Sequence, residues 1–398
     1  MKNLDKYCNI KLLITYDKKD RKDVFMLRYG MVGGGNGAFI GDVHRKAIGL
    51  DQKATLVAGC FSRNQQNNLE SGKKLFIDSD RIYENFYQMA QQESKREDGI
   101  QFVVIVTPNY CHAEACRAFL NHGIHVVCEK PLATTLQDAL ELEQLATSKN
   151  LLFAVTYTFA GYPMIRYARE LVQRGEIGNI TMVMGEYPQD YLLADFDDSS
   201  LGKIPWRADP TLSGKTNCLG DIGSHIQFTT QYITGLEIDS VCAKLDCIGP
   251  VGTLDTNASV MLKFQNGATG MFWSSQVAMG NDNTLRLRIY GDKGSIEWSN
   301  EKPEEFQLTL VGQPPMLIRK GHHYPNYDIF GRLPFGHTEG LYAAFANIYL
   351  DYCTALEAKL TQKDYQINFP TVCDGRKGVQ FIECCLKSHQ QQQTWIHL

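Results

Sequence analysis

The tetrapeptide Cys128-Glu129-Lys130-Pro131 closes the apolar run Gly123-Ile124-His125-Val126-Val127 with a lysine and then a proline. Proline has no N–H to give a sheet and disfavours helix for the residue before it, so a strand should stop here with Lys130 extended. At the C-terminal end of a parallel strand, where open α/β folds bind their ligands, a lysine shielded by a cofactor could have its charge state tuned for proton work. The rival reading is a solvated lysine closing an edge strand. A second group stands much later, in Cys218-Leu219-Gly220-Asp221-Ile222-Gly223-Ser224-His225. If Asp221 begins the helical run that stops at Gly235, His225 lies one turn on, on the same face. Such a pair can share a substrate hydroxyl, the carboxylate orienting the imidazole or stabilising its charged form. An N-capping aspartate and a core histidine is the competing account.

Lys130 needs a parallel sheet around it, and the first part of the chain alternates strands and helices as such a sheet requires. Strands are expected at 27–32, 54–60, 101–106, 124–128 and 151–155, and helices at 65–76, 83–94, 110–121 and 135–148. The first strand runs into Gly33-Gly34-Gly35-Asn36-Gly37-Ala38-Phe39-Ile40-Gly41 and then a helical pattern. Glycines let the backbone turn tightly and approach a pyrophosphate, while free N–H groups at a helix N-terminus meet its charge. The turn is about three residues longer than the common dinucleotide fingerprint, so a plain glycine-rich loop stays the alternative. Where folds that prefer NAD carry an acid for the ribose, after the second strand, this chain has Ser62 and Arg63. A hydroxyl beside a guanidinium accommodates a 2′-phosphate, which leaves NADP open beside NAD.

After Tyr157 the pattern changes to one helix (162–174) and then mostly strands: 180–187, 240–247, 258–265, 270–275, 285–290 and 295–298. Gln265-Asn266-Gly267 and Gly291-Asp292-Lys293-Gly294 are hairpin signals, so the second sheet should be antiparallel and the second domain α+β. The Asp-, Pro- and Gly-rich stretch 195–214 is a long loop of the kind that carries function. Helices near 338–358 and 371–388 end the chain.

The 398 residues carry a formal charge of −4, which argues against a nucleic-acid partner. No apolar run is long enough to span a membrane. The 12 cysteines are scattered, with no C-x-x-C pair and no zinc spacing, which fits a reducing, cytoplasmic compartment and no metal. Residues 1–26 read as an extension that is neither signal peptide nor anchor.

Thr107-Pro108-Asn109 with His112, then Cys128-Glu129-Lys130-Pro131, then Gly220-Asp221-x-x-x-His225 together resemble the Gfo/Idh/MocA family, the glucose–fructose oxidoreductase, inositol dehydrogenase and rhizopine-catabolism group. The likeness runs from about Leu27 to the C-terminus. It implies a doubly wound Rossmann domain over 27–156. It also implies an α+β domain over 157–398 with a large, mostly antiparallel open sheet that mediates homodimers or homotetramers. A catalytic set of Lys130, Asp221 and His225 follows from it, as does a cis Lys130-Pro131 peptide. The run Gly161-Tyr162-Pro163-Met164-Ile165-Arg166 and the long glycine turn resemble a less characterised branch of sugar and cyclitol dehydrogenases.

On this resemblance the expected reaction is hydride transfer between NAD or NADP and a secondary alcohol carbon of a sugar, glycoside or inositol. The nicotinamide would lie along Gly33, Gly35, Asn36, Gly37, Ala38, Phe39 and Ile40, then Thr107, Pro108, Asn109 and His112, then Glu129, Lys130 and Pro131. His225 would accept the hydroxyl proton, Lys130 would hydrogen-bond the same oxygen, and Asp221 would position substrate or histidine. Tyr157, Tyr162, Arg166, Asp190, Trp206 and Arg207 are candidates for the substrate wall, since aromatic faces with a few charged donors suit a polyol ring. Two rivals stand beside this. One is glycoside cleavage through a transient keto sugar with the cofactor retained; the other is a non-catalytic nucleotide-binding regulator.

Overall fold

A computed structural model describes residues 26–194, 209–249, 253–321 and 331–398. The N-terminal sheet contains β1 (Leu27–Gly33), β2 (Ala54–Cys60), β3 (Phe102–Val106), β4 (His125–Cys128) and β5 (Phe153–Val155), all parallel, in the order β2-β1-β3-β4-β5. A single parallel bridge, Gly59 to Ile82, extends the sheet beyond β2. The central strand β3, Phe-Val-Val-Ile-Val, is buried along its whole length, as a strand covered on both faces must be. The order reverses between β1 and β3, so their C-terminal ends, Gly33 and Val106, flank the crevice where open α/β sheets bind ligands.

Connecting helices are α1 (Phe39–Leu50), α2 (Gln65–Lys74), α3 (Phe86–Glu93), α4 (His112–Asn121) and α5 (Leu136–Ser148). The second half begins with α6 (Pro163–Gln173), which has proline at its first position, where no N–H partner is lost. It continues through β6 (Ile180–Pro188), the short α7 (Tyr191–Ala194) and α8 (Pro210–Ser213), and α9 (Ser224–Thr234). Strands β7 (Ile238–Asp246), β8 (Asn257–Phe264), β9 (Thr269–Ser275), β10 (Arg286–Gly291), β11 (Gly294–Ser299), β12 (Glu305–Leu310) and β13 (Met316–Arg319) follow. Helices α10 (Leu341–Leu360) and α11 (Val372–Gln390) and a last short strand, β14 (Ile396–His397), complete the described chain. The second sheet has nine strands in the order β13-β12-β11-β10-β6-β9-β8-β7-β14. Only the β6–β9 pair among them is parallel. Both hairpin signals are met: the Asn266-Gly267 turn joins β8 to β9, with Gly267 at φ 88°, and Asp292-Lys293 joins β10 to β11. Strands β12, β13 and β14 lie outside the strands expected from the sequence.

Among the described residues, three large cores form. One lies between the nine-stranded sheet and α6, α9 and α11. Another covers the parallel sheet with α4 and α5. On the opposite sheet face α1 is joined by α10, whose Phe345, Ile348, Tyr349, Tyr352 and Leu356 sit in one cluster with Leu27, Tyr29, Met31 and Val104. The first sheet ends with β5 at Val155 and the second begins with β6 at Ile180, but packing crosses that span: the late helix α10 is a wall of the parallel sheet. No helix among the described residues is long and apolar enough to cross a membrane.

Candidate active site

Between Gly33 and Phe39 the chain bends around positive φ at Gly33, Gly34 and Gly37. A Cβ on Gly35 would stand 2.9 Å from Phe61 O and Asn67 Oδ1, and one on Gly41 only 2.3 Å from Gly34 Cα. The longer turn therefore still lays α1 against the end of β1, with glycine backbone and no side chain between them. Ala38, the N-cap of α1, offers no side-chain acceptor to the first-turn N–H groups. Those donors and the helix dipole suit a phosphate.

Two cavities meet over this turn. The first, about 300 Å³, is lined by Gly33, Gly35, Asn36, Ala38, Ser62, Arg63, Asn67, Thr107, Pro108, Tyr110 and Cys111. Arg63 lies over the Tyr110 ring at 5.8 Å. The second, about 440 Å³, shares Ala38, Thr107 and Pro108 and adds Gly37, Phe39, Ile40, Asn109, His112, Glu129, Lys130, Ser213, Thr216, Asn217 and Asp221. The residues fit a dinucleotide: a glycine cradle that a Cβ would fill, an uncapped helix start, and a buried Thr107 hydroxyl with no protein partner. Pro131 lies just outside the second cavity, and its carbonyl is 2.8 Å from His112 Nδ1. His112 Nε2 is 2.8 Å from the Thr107 carbonyl, so this buried ring fastens the ends of β3 and β4 together. Burial lowers its pKa, partly offset by those two carbonyls.

The second cavity is where the two halves of the chain meet. The Lys130-Pro131 peptide is cis. Lys130 Nζ donates to Asp221 Oδ1 at 2.8 Å and to the Asp221 carbonyl at 2.6 Å. Asp221 lies within a π-helical segment, Leu219–Gly223, that runs directly into α9; such segments are frequent at functional sites. It is not the helix cap. That task falls to buried Asp255, which accepts from the N–H groups of Asn217 and Leu219 at 2.7 Å each. Burial raises the Asp255 carboxyl to about 6 against the pull of those bonds. Gln276 donates to Asp221 Oδ2 at 3.1 Å and accepts from Asn217 Nδ2 at 2.7 Å, so the aspartate is held from both sides.

His225 follows on α9, its ring set edge-on against Tyr157 and Phe159 and tilted against Tyr187. Its Nδ1 is buried and has no protein partner. Burial is the largest influence on its pKa, then Lys130, and together they outweigh the Asp221 and Glu129 carboxylates and bring it down to about 3. The ring is neutral at physiological pH.

The expected substrate wall divides. Tyr157 is buried behind His225, stacked on Phe228 at 4.3 Å, rather than open to the cavity. Tyr162 belongs to the core of the second sheet and stacks on Phe159. Arg166 is drawn inward, its Nε donating to the Ala160 carbonyl and its guanidinium 2.7 Å from Asp351 on α10. Asp190 accepts from the Gly280 N–H at 2.8 Å. Trp206 and Arg207 lie outside the described residues. The cavity wall instead takes Ser213, Thr216 and Asn217, from the segment just before the Gly-Asp motif, and Asn109 Nδ2 donates across to the Ser213 carbonyl at 3.1 Å. Their signal was the Gly214-Lys215-Thr216-Asn217 stretch leading into the helix, a polar entry to a site already marked by Asp221.

Residues 27–157 match the model of the oxidoreductase family with an NAD-binding Rossmann fold, and residues 165–297 match the GFO/IDH/MocA C-terminal domain. An uncharacterized oxidoreductase, YfiI of Bacillus subtilis, is 35% identical over 379 residues, 93% of this chain and 96% of that protein. Levoglucosan dehydrogenase of Pseudarthrobacter phenanthrenivorans is 31% identical over 235 residues, 53% of this chain and 58% of that enzyme. An inositol dehydrogenase homolog from Azotobacter vinelandii, solved with NAD+, is 33% identical with a TM-score of 0.87, covering 94% of this chain and 97% of that one. The same homolog with NADH and myo-inositol superposes at a TM-score of 0.84 with 32% identity, over 94% of this chain and 97% of that one. The protein described here belongs to the Gfo/Idh/MocA family of NAD-binding oxidoreductases.

Proposed function

We propose that this protein is a dehydrogenase that oxidises a secondary alcohol of a sugar, glycoside or cyclitol, or reduces the matching ketone. The observation that carries the reading is the meeting of Lys130 and Asp221, from separate halves of the chain, in a cavity continuous with the glycine turn. When bound, the nicotinamide supplies the hydride acceptor or donor. Lys130 hydrogen-bonds the alcohol oxygen and stabilises the charge that grows on it as its proton leaves. His225, neutral beforehand, accepts that proton, and the Asp221 carboxylate favours the imidazolium that forms. Asp221 is oriented by Gln276 so that one oxygen is left to face Lys130 or the substrate. Ser213, Thr216, Asn217 and Asn109 offer donors and acceptors to the remaining hydroxyls of a ring. Levoglucosan and myo-inositol, named for two relatives, are polyhydroxylated rings of this kind. Ser62 and Arg63 put no carboxylate against a 2′-phosphate and so leave NADP open, while the NAD-binding family model and the relative solved with NAD+ and with NADH make NAD the cofactor we favour.

The test is a screen of inositols, glucose, xylose and anhydrosugars with NAD and with NADP, following absorbance of the reduced nicotinamide. Accumulation of free NADH with at least one polyol supports the reading. Sugar conversion with no net NADH would replace it by the retained-cofactor route, and inactivity across the screen would overturn it.

A further inference from the structure

Behind Lys130 runs a buried hydrogen-bonded chain that the reaction above does not use. His44 on α1 is fully buried, and both its ring nitrogens are engaged. Nε2 lies 2.8 Å from Glu129 Oε1, and Nδ1 lies 2.5 Å from the Tyr349 hydroxyl on α10. Glu129 Oε1 also accepts from the Thr156 hydroxyl at 2.6 Å, while Oε2 accepts from the Lys130 main-chain N–H at 3.1 Å. One histidine thus joins the helix that leaves the glycine turn, the strand end that carries Lys130, and a helix from the far end of the chain. Burial on its own would raise the Glu129 carboxyl, but His44, Lys130 and Thr156 outweigh it and hold it at about 2. A buried carboxylate keeps its charge only while such partners persist, and removing one leaves the desolvation penalty uncompensated. Glu129 also lines the cavity beside Lys130.

We propose that His44 and Tyr349 are positioning residues for Lys130, acting through Glu129. The Tyr349–His44–Glu129 chain fixes the backbone from which the ammonium reaches Asp221 and the substrate oxygen. This rests on the reading that Lys130 works on the alcohol. Reacting groups must be held closely, since a misplacement of about 1 Å costs on the order of a hundredfold in rate. His44 also packs against Phe345 and Tyr349, so a purely structural role is the alternative, and it would move stability without moving the chemical step.

The experiment compares Tyr349→Phe, His44→Gln, Glu129→Gln and the double variant Tyr349→Phe/Glu129→Gln, using the best polyol from the screen. It reads kcat, KM for substrate, NADH affinity by fluorescence and thermal midpoint. The two outer variants should lose on the order of tenfold in kcat, with NADH affinity within about twofold of wild type. The double variant should be no slower than Glu129→Gln alone, because both changes break one chain. Folded Tyr349→Phe and His44→Gln proteins with wild-type kcat would overturn the proposal, as would losses that simply add in the double variant. Should His44→Gln fail to fold, Tyr349→Phe decides, since it removes a single oxygen: reduced kcat supports the proposal and unchanged kcat overturns it. Wild-type inactivity across the polyol screen is a separate result that strikes the functional reading itself.

Discussion

Arg166 shows how far residue type alone carries an assignment. An arginine in an aromatic-rich segment suited a sugar wall, yet it pairs with Asp351 between α6 and α10, where burial raises the aspartate's pKa against the pull of the guanidinium. Breaking a buried pair from one side costs about 3–5 kcal/mol, because the remaining charge is left unpaired. Arg166→Leu should therefore lower the thermal midpoint by several degrees while substrate KM in the folded protein stays near wild type. A raised KM at unchanged stability would return Arg166 to the substrate site. The meeting of Lys130 with Asp221 was legible because a lysine at a strand end and an aspartate at a helix start are charged groups that call for a partner. What sequence concealed was the support around them. Gln276 and Asp255 come from strand ends far along the chain, and nothing local marks them as the groups that hold Asp221 and its helix.

At the scale of elements, the glycine turn is the part on which cofactor binding depends. Gly41→Ala would drive a methyl group against Gly34 Cα, a backbone atom that cannot rotate away, so α1 must lift from the turn. NADH affinity should fall by on the order of tenfold or more, about 1.4 kcal/mol per decade, with the fold retained. Gly37→Ala makes the control: its φ is 86° but no atom lies within 4 Å of the added Cβ, so it meets backbone strain without a clash. Equal losses in the two variants, or none in Gly41→Ala, would contradict the close-approach argument. The parallel sheet and its helices were readable from the strand–helix alternation and buried apolar runs. Strands β13 and β14 were not, because at four and two residues these edge strands are too short to show a period, whereas β12, Glu305–Leu310, does alternate apolar and polar residues as a half-buried strand should. The π segment around Asp221 was equally hidden, since its sequence differs in no periodic feature from an ordinary helix start.

Across the whole molecule, the cores make acid the vulnerable direction. His125 on β4 is buried and accepts from the Leu152 N–H through Nδ1. Burial, with a smaller push from Lys359, lowers its pKa from 6.5 to about 4. The unfolded chain therefore binds a proton that the native state refuses between those values, and stability falls as pH drops from about 6.5 toward 4. His225, lowered to about 3, adds to the same slope, and Glu129, held at about 2, adds below 4.5. Asp255 opposes them: its carboxyl is raised to about 6, so the native state binds its proton more readily and gains relative stability as pH falls. His112, also lowered by burial, joins the two histidines, and Asp351, also raised by burial, joins Asp255; with three histidines against two aspartates, the thermal midpoint should decline below pH 6.5. His125→Phe should flatten that decline while lowering stability at pH 8, where the Leu152 N–H is left unpaired. A variant with the same pH slope as wild type would show that His125 titrates normally. The chain also closes on itself at this scale, α10 walling the first sheet with Tyr352 and Leu356 fully buried, a partnership between distant segments that periodicity cannot reveal.

On the proposed function, Lys130 serves the alcohol oxygen and not the binding of the nucleotide. Lys130→Met, which keeps the length of the side chain and removes the charge, measured for both NADH affinity and kcat, tests it most directly. NADH affinity should stay within about threefold of wild type while kcat falls by on the order of a hundredfold or more. Undiminished kcat, or a loss that follows weakened NADH binding alone, would contradict it.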